Sequence, residues 1–330
     1  MSIGVLQTVL SVEPLAPVES LEPLIREAKE ELSFDRTISR RFVHRASVTE
    51  VFLTDAVVAG PDRFLVGAQL PRNHALYRPE ETGQADFMLL VETVRQAGIF
   101  LSHRYHDVPL GHHFIFKALS LHISDPAALR VGCGPLAAVF DIKVVTPAGA
   151  RNPRRFDARF DMVIEVGGRE CARASAGVVV IDGVRYGRLR QRGRTPQTAI
   201  PQAFAYGEPE GAADDRAVLC PVPAEEALTR PAGTREWRLR VDPTHPGYFE
   251  HPSDHVPGML LLEAFRQAAR RTAGGAAAPA TLTSLDADFA VFGELAEAVA
   301  VEAAPLEDGR VRLSAAQGGR VLATAVARCA

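Results

Sequence analysis

Ten residues are written almost twice in this chain: MLLVETVRQA from Met88 to Ala97 and MLLLEAFRQA from Met259 to Ala268. Seven of the ten letters match at an offset of 171 positions, and the differences at Val91, Thr93 and Val94 are mild. The register also holds upstream without a gap, since His74 falls opposite His245 and Tyr77 opposite Tyr248. A chain of 330 residues is long enough for two domains of ordinary size, each with its own core. The repeat therefore implies one fold present in two copies.

What surrounds the copies indicates which fold. Each ten-mer has helical periodicity and follows a strand-like run, at 63–70 and 236–241. Four more such runs come after each, at 114–123, 137–145, 156–166 and 170–181, then at 282–292, 298–304, 310–316 and 320–329. FDARFDMVIEV and RVRLSA alternate as half-buried strands do. Gly167-Gly168-Arg169, Glu307-Asp308-Gly309 and Gln317-Gly318-Gly319 mark the turns. Each half is thus expected to be α+β, one long helix buried against one curved antiparallel sheet. The expected division is an N-terminal arm over 1–33 with one short helix, a first domain over 34–182, a linker over 183–215 and a second domain over 216–330. Within the linker, YGRLRQRGR holds four Arg in nine residues. It reads as a solvated connection, with contact to an acidic partner as the sharper alternative.

Composition narrows the function classes. The net charge is 37 − 40 = −3, so the global field offers no attraction for nucleic acid or an anionic membrane. No helix-turn-helix or basic recognition helix stands out. The N-terminus lacks a basic stretch followed by a long apolar run, and no window approaches eighteen apolar residues, so neither a signal peptide nor a membrane span is expected. Cys133, Cys171, Cys220 and Cys329 are scattered without a CxxC, which suits a reducing cytoplasm.

Glu92, Arg95 and Gln96 stand at i, i+3 and i+4, as do Glu263, Arg266 and Gln267, so each triplet shares one helix face. The helices around them are apolar almost all round, and a buried carboxylate is costly unless paired. One reading is that Glu and Arg only neutralise each other and orient the helix. The second copy suggests more. HPGYFEHPSDHVPGM places His245, His251, Asp254 and His255 within eleven residues, just before Pro257-Gly258 opens the helix. Pro is suited to a helix's first turn, and the N–H groups of Gly258 and Met259 would point at a ligand seated there. A thioester carbonyl becoming an oxyanion is one such ligand.

His251 and His255 have HxxxH spacing, but Pro252 and Pro257 prevent one helix from presenting both, so no metal or other cofactor is expected. His103/His106 and His112/His113 lack a carboxylate frame and read as surface or strand-end histidines. In the first copy Asp86-Phe87 stand opposite Pro257-Gly258, Gln84 opposite His255 and Glu80 opposite His251. At most one of the two pockets is expected to run a full reaction. No Gly-rich phosphate loop, GxSxG elbow or Cys/His pairing appears, so a protein acyl intermediate lacks support.

The run HxxDHxPGMLLLEAxRQ resembles the C-terminal signature of the A-factor biosynthesis (AfsA-like) family of γ-butyrolactone synthases. FVHRASVTEVFLTD (42–55) and LLVETVRQAGIFLSHRYHDVP (89–109) resemble its N-terminal signatures. The PG opening six residues before a Glu is also similar to hot-dog hydroxyacyl-carrier dehydratases. The resemblance implies a tandem hot-dog fold, its two sheets joined as in a hot-dog dimer. It also implies transfer of a β-ketoacyl group from an acyl carrier protein to dihydroxyacetone phosphate, toward a butyrolactone, butenolide or furan signal.

Carried onto this chain, Glu263 falls on the dehydratase-type acidic position and Glu92 is its first-copy equivalent. The dehydratase His position is Phe249 here, a departure that counts against simple dehydration unless His251 or His255 substitutes. Glu263 or Glu92, with a pKa raised by burial, is a candidate base, and His245, His251 and His255 are rivals. Arg266 and Arg95 are candidate phosphate ligands. Gln267, Gln96, His74, His251, Asp254, Gly258 and Met259 complete the expected substrate-binding set. A Glu of one half is expected to meet a His of the other. The competing readings are a hot-dog thioesterase or dehydratase on acyl thioesters, and a non-catalytic acyl-ligand binder. Two fused hot-dogs leave monomer and homodimer both open.

Overall fold

The two halves have the same strand order. The computed structural model describes residues 21–147, 151–152, 155–191, 209, 214–222, 233–274 and 280–330. The first half contains α1 (Leu21–Glu31), β1 (Leu53–Gly60), β2 (Arg63–Leu70), α2 (Phe87–Tyr105), β3 (His113–Ile123), β4 (Leu136–Val145), β5 (Arg151–Asn152), β6 (Arg155–Val166) and β7 (Arg169–Ile181). After α3 (Gly183–Gln191), the second contains β8 (Leu219–Pro221), β9 (Arg235–Leu239), α4 (Gly258–Ala273), β10 (Leu282–Phe289), β11 (Ala300–Pro305), β12 (Val311–Gln317) and β13 (Arg320–Cys329). Across the first half the strands lie β1-β2-β4-β6-β7-β3, and across the second β8-β9-β11-β12-β13-β10. The little strand β5 pairs only with β6.

All neighbours are antiparallel, and β3 pairs with β10 from Ala118↔Asp288 to His122↔Ser284, so the half-sheets run on as one. This is the expected tandem hot-dog: α2 packs on β7, β1 and β2, and α4 on β10 to β13. The alternation of β6 appears as burial on every second residue. Gly167-Gly168 and Gly318-Gly319 all have positive φ, as two-residue hairpin turns matching strand twist require.

Several parts of the chain differ from expectation, the short strands β5 and β8 among them. β1 was not among the expected strands, although it forms an edge under α1. The beginning of the stretch read as a solvated linker is α3, whose Arg190 is 5% exposed. Arg192 to Arg194, and most of the rest of that stretch, lie outside the described residues, as do residues 1–20 of the arm.

The helix triplets are bonded identically in both halves. Gln96 Nε2 donates to Glu92 (2.7 Å) and to the Glu50 carbonyl (2.7 Å), while its Oε1 accepts from Phe52 N (3.0 Å). Gln267 Nε2 donates to Glu263 (2.6 Å) and to the Arg216 carbonyl (2.9 Å), and its Oε1 accepts from Val218 N (3.1 Å). Each glutamine thus fastens the central helix to the segment that leads into or forms its half's first strand.

The seam between halves is held by charge. Arg266 forks onto Glu263 (2.8 and 2.7 Å) and reaches Glu80 of the first half at 3.3 Å, where Arg270 also binds at 3.2 Å. All but Arg270 are buried. Removing the cation leaves buried carboxylates unpaired, so Arg266→Ala is expected to lower stability by about 3–5 kcal/mol. Urea unfolding would measure this; a loss below about 1 kcal/mol would mean the cluster does not hold the seam.

Candidate active site

One cavity of about 850 Å³ lies at the junction of the halves, walled by the segment before α4, the start of β3, α3 and the end of β10. Ile99, Phe116, Leu119, Leu261 and Phe289 give it an apolar side. Its polar side begins at Asp254 and His255. Asp254 Oδ1 accepts from His255 Nδ1 at 2.7 Å and from the Tyr186 hydroxyl at 2.7 Å, while Oδ2 accepts from Arg190 Nε at 3.1 Å. Burial would lift the Asp254 pKa, but the bonds from His255 and Tyr186 hold it below the usual carboxylate range. Its ionised oxygen requires a proton on His255 Nδ1, which leaves the lone pair on Nε2.

Helix α3 supplies the support. Tyr186 stacks on His113 with ring centroids 3.8 Å apart, and Arg190 forks onto Glu294 at 2.8 and 2.9 Å. The Arg190 guanidinium also sits over Phe292, and Val256 N donates to the Gly293 carbonyl at 2.8 Å. A Cβ at Gly293 would fall 2.8 Å from Leu322, so only glycine fits this approach.

The two helix N-termini are not equivalent. At α2 the Asp86 carboxylate accepts from Met88 N at 2.7 Å and closes the end. At α4 the cap position is Pro257, which has no side-chain acceptor, and Gly258 and Met259 both line the cavity. Asp86 lines the cavity from the other side, 3.9 Å from Arg266. Burial pushes its pKa up to about 6, with Glu263 and Glu80 adding to the rise and Arg266 opposing it.

Several expected roles change. Glu92 accepts from Arg45 Nε (3.0 Å), Arg95 (2.8 and 2.9 Å) and Gln96. Burial alone would raise its pKa, but Arg45 and Arg95 outweigh burial and hold it at about 2. It is therefore held as an anion between two arginines. Glu263 lines the cavity, yet both its oxygens are taken by Arg266 and Gln267. Arg266 is enclosed by carboxylates and does not face the cavity, so it is no phosphate ligand. Gln96 and Gln267 spend their bonds on backbone and Glu. Arg95 does line the cavity, and its Nη1 has no partner among the described residues.

His245 and His74 form matched turns. Nδ1 of His245 accepts from Gly247 N (3.1 Å) and Tyr248 N (3.2 Å), and Nε2 meets the Asp215 carbonyl at 3.2 Å. Nδ1 of His74 accepts from Leu76 N and Tyr77 N, and Nε2 meets Glu50 at 3.2 Å. Each ring packs on the tyrosine three residues on. With both nitrogens engaged, His245 caps its turn, and it is not among the residues that line the cavity. His251 lines the cavity, with Nδ1 3.2 Å from its neighbour's carbonyl. No Glu–His hydrogen bond crosses between halves among the described residues. Instead Glu250 accepts from Ala46 N and Ser47 N, both at 2.7 Å, and Glu80 accepts from Arg266.

Two histidines read as peripheral or passed over meet here. His103 is buried, and its Nδ1 donates to the Val108 carbonyl at 2.7 Å. Its Nε2 must then accept, so His44 Nε2 donates to it at 2.8 Å and the His44 lone pair sits on Nδ1. Burial first, then His103 and Arg95, push the His44 pKa down to about 3. His44 also has φ +53, uncommon outside glycine. His106 is buried as well, and His112 and His113 line the cavity, so neither pair is merely superficial. A histidine inside FVHRASVTEVFLTD was the available signal for His44. Nothing local marked Tyr186 or Arg190 as part of a site.

The model of the A-factor biosynthesis hotdog domain matches residues 27–182 and 222–330. A 2-oxo-3-(phosphooxy)propyl 3-oxoalkanoate synthase from Streptomyces virginiae is 35% identical over 82% of this chain and 88% of its own length. One of the same name from Streptomyces coelicolor is 31% identical over 77% of this chain and 79% of its own. Among solved structures, an acyl-ACP thioesterase from Bacteroides thetaiotaomicron aligns over 81% of this chain and 98% of that one, at TM-score 0.48 and 9% identity.

The lifted Asp86 sets a pH test. A carboxyl whose folded pKa rises from 3.8 to about 6 binds more protons folded than unfolded. Its ionisation therefore erodes stability as pH climbs through that window, by up to about 3 kcal/mol. Asp86→Asn keeps an oxygen for Met88 N and is expected to stabilise the fold at pH 8 but not below pH 4. Equal gains at both pH values, read from denaturant midpoints, would contradict this.

Proposed function

This chain belongs to the A-factor biosynthesis hot-dog domain family, and we propose that it is an acyltransferase joining a β-ketoacyl group to the hydroxyl of dihydroxyacetone phosphate. The relatives are named for the product of that condensation. In this reading the donor thioester is carried by an acyl carrier protein. The reaction runs in the cytoplasm, in keeping with four free cysteines. The observation that carries the reading is a histidine of fixed tautomer beside an uncapped helix N-terminus, both on the wall of one partly apolar cavity.

His255 Nε2 takes the proton from the substrate hydroxyl as its oxygen attacks the thioester carbonyl. The oxyanion accepts hydrogen bonds from the open end of α4 at Gly258 and Met259. As it collapses the C–S bond breaks, and His255 returns its proton to the departing thiolate, giving ester and thiol. Asp254, held by Tyr186 and Arg190, keeps the imidazole oriented and stabilises its protonated form. The phosphate lies toward Arg95, Arg45 and His251, at the end where the cavity meets the first half. The acyl chain follows Ile99, Leu119, Leu261 and Phe289.

Mass spectrometry of purified protein with a β-ketoacyl carrier protein and dihydroxyacetone phosphate tests this. The expected product is a phosphorylated ester or its cyclised butenolide, absent without protein. Free β-keto acid alone would make the protein a thioesterase, and unchanged donor would leave a binding role. His255→Ala is expected to lower kcat by about 10²–10⁴-fold. His245→Asn, which preserves a turn-capping acceptor, is expected to keep kcat; equal losses in both variants would remove His255 from its role.

A further inference from the structure

We infer that the outer face of α3 and the adjoining cavity rim are the docking surface for the carrier protein that delivers the acyl thioester. The inference rests on the carrier-bound donor proposed above.

Helix α3 has two faces with different tasks. Tyr186 and Arg190, four residues apart, point inward and hold Asp254. Val184, Arg185 and Arg188 lie away from that face and Leu189 lies beside it, and all four are exposed. Val184 is 67% exposed, an unusual state for a valine on a helix whose other face is anchored in the protein. Leu189 and Val291 line the cavity while remaining 42% and 45% exposed, which places them at its mouth. Val321 adjoins Arg320, another lining residue, and Leu110 lies two residues before His112. Of the seven large hydrophobics exposed among the described residues, Leu189 and Val291 line this opening, and Val184 stands on the same helix as Leu189.

Direct contacts tie this rim to its neighbours. Phe292 packs edge-on against Tyr186 and under Arg190, tying the Val291 loop to α3. Val291 N bonds the Leu322 carbonyl, which brings the start of β13 alongside. A clustered apolar patch of this kind marks an interaction site, whereas single exposed hydrophobics do not.

Charge selects the partner. Within Gly183–Gln191 there are three arginines and no carboxylate, and Arg188 and Arg320 form no ion pair with another described residue. The fitting partner is acidic, with apolar side chains beside its charges. It must also pass a thioester arm through the mouth toward His255, so its body has to rest on the rim. An acidic carrier protein meets both conditions.

The test is fluorescence anisotropy of a labelled acyl carrier protein bearing a 3-oxooctanoyl arm, with turnover measured in parallel on a carrier-free 3-oxooctanoyl N-acetylcysteamine thioester. Arg188→Glu and Val184→Asp are each expected to weaken carrier binding by about tenfold or more. Binding to the unaltered protein is expected to weaken with added salt, and less so for Arg188→Glu. Turnover of the carrier-free thioester is expected to stay unchanged in both variants. Undiminished carrier binding in both variants, or no carrier binding by the unaltered protein, would overturn the inference. An equal fall in carrier-free turnover would do the same, since α3 would then act only through Asp254. Carrier binding lost in the variants without any acyl transfer would sustain the docking surface and refute the proposed reaction instead.

Discussion

A carboxylate in the middle of an apolar helix must be neutralised within reach of one helical turn. Glu92 and Glu263 both meet that constraint with an Arg at i+3 and a Gln at i+4, and the rest of the structure is arranged around the result. The Gln side chain completes the carboxylate's hydrogen bonds and simultaneously bonds the backbone of the neighbouring segment. Helix position and sheet position are thereby coupled. Because a buried polar group left unpaired costs far more than a satisfied one gains, each triplet acts as a locating pin.

The copies then diverge at the helix ends, and that divergence determines where chemistry is possible. Asp86 supplies its own anion to the N-terminus of α2, so no ligand anion is needed there. Pro257 cannot do this for α4. Asp254 and His255 precede that open end, and α3 reaches over from between the halves to orient them. The first half contributes a second polar cluster to the cavity wall, made of His44, Arg45 and Arg95. A duplicated fold thus becomes one asymmetric cavity, walled by different polar groups from each copy.

Much of this was legible in the sequence because it depends on local period and offset. Helix spacing, strand alternation and glycine turns are properties of neighbouring residues, and the repeat shows them twice. The weight placed on Asp254, His255, Gly258 and Met259 came from their closeness along the chain, and the structure keeps them together. The expectation that burial raises the pKa of Glu92 meets a physical obstacle. Burial raises a carboxylate's pKa unless close cations outweigh it, and Arg45, forty-seven residues before Glu92, together with Arg95 reverses the sign.

His245 looked like a catalyst from its company, although its nitrogens are consumed by the turn it closes. The pairing of His44 with His103 and the bonds from Tyr186 and Arg190 to Asp254 join residues 59 to 68 positions apart. No periodicity encodes such separations. The sequence by itself determined the two-copy hot-dog architecture, the buried triplets and which helix end is left open. Only the tertiary structure decided which charged groups are spent on each other and which still face the cavity. Neutralisation and desolvation depend on distances in space, and the chain order does not contain them.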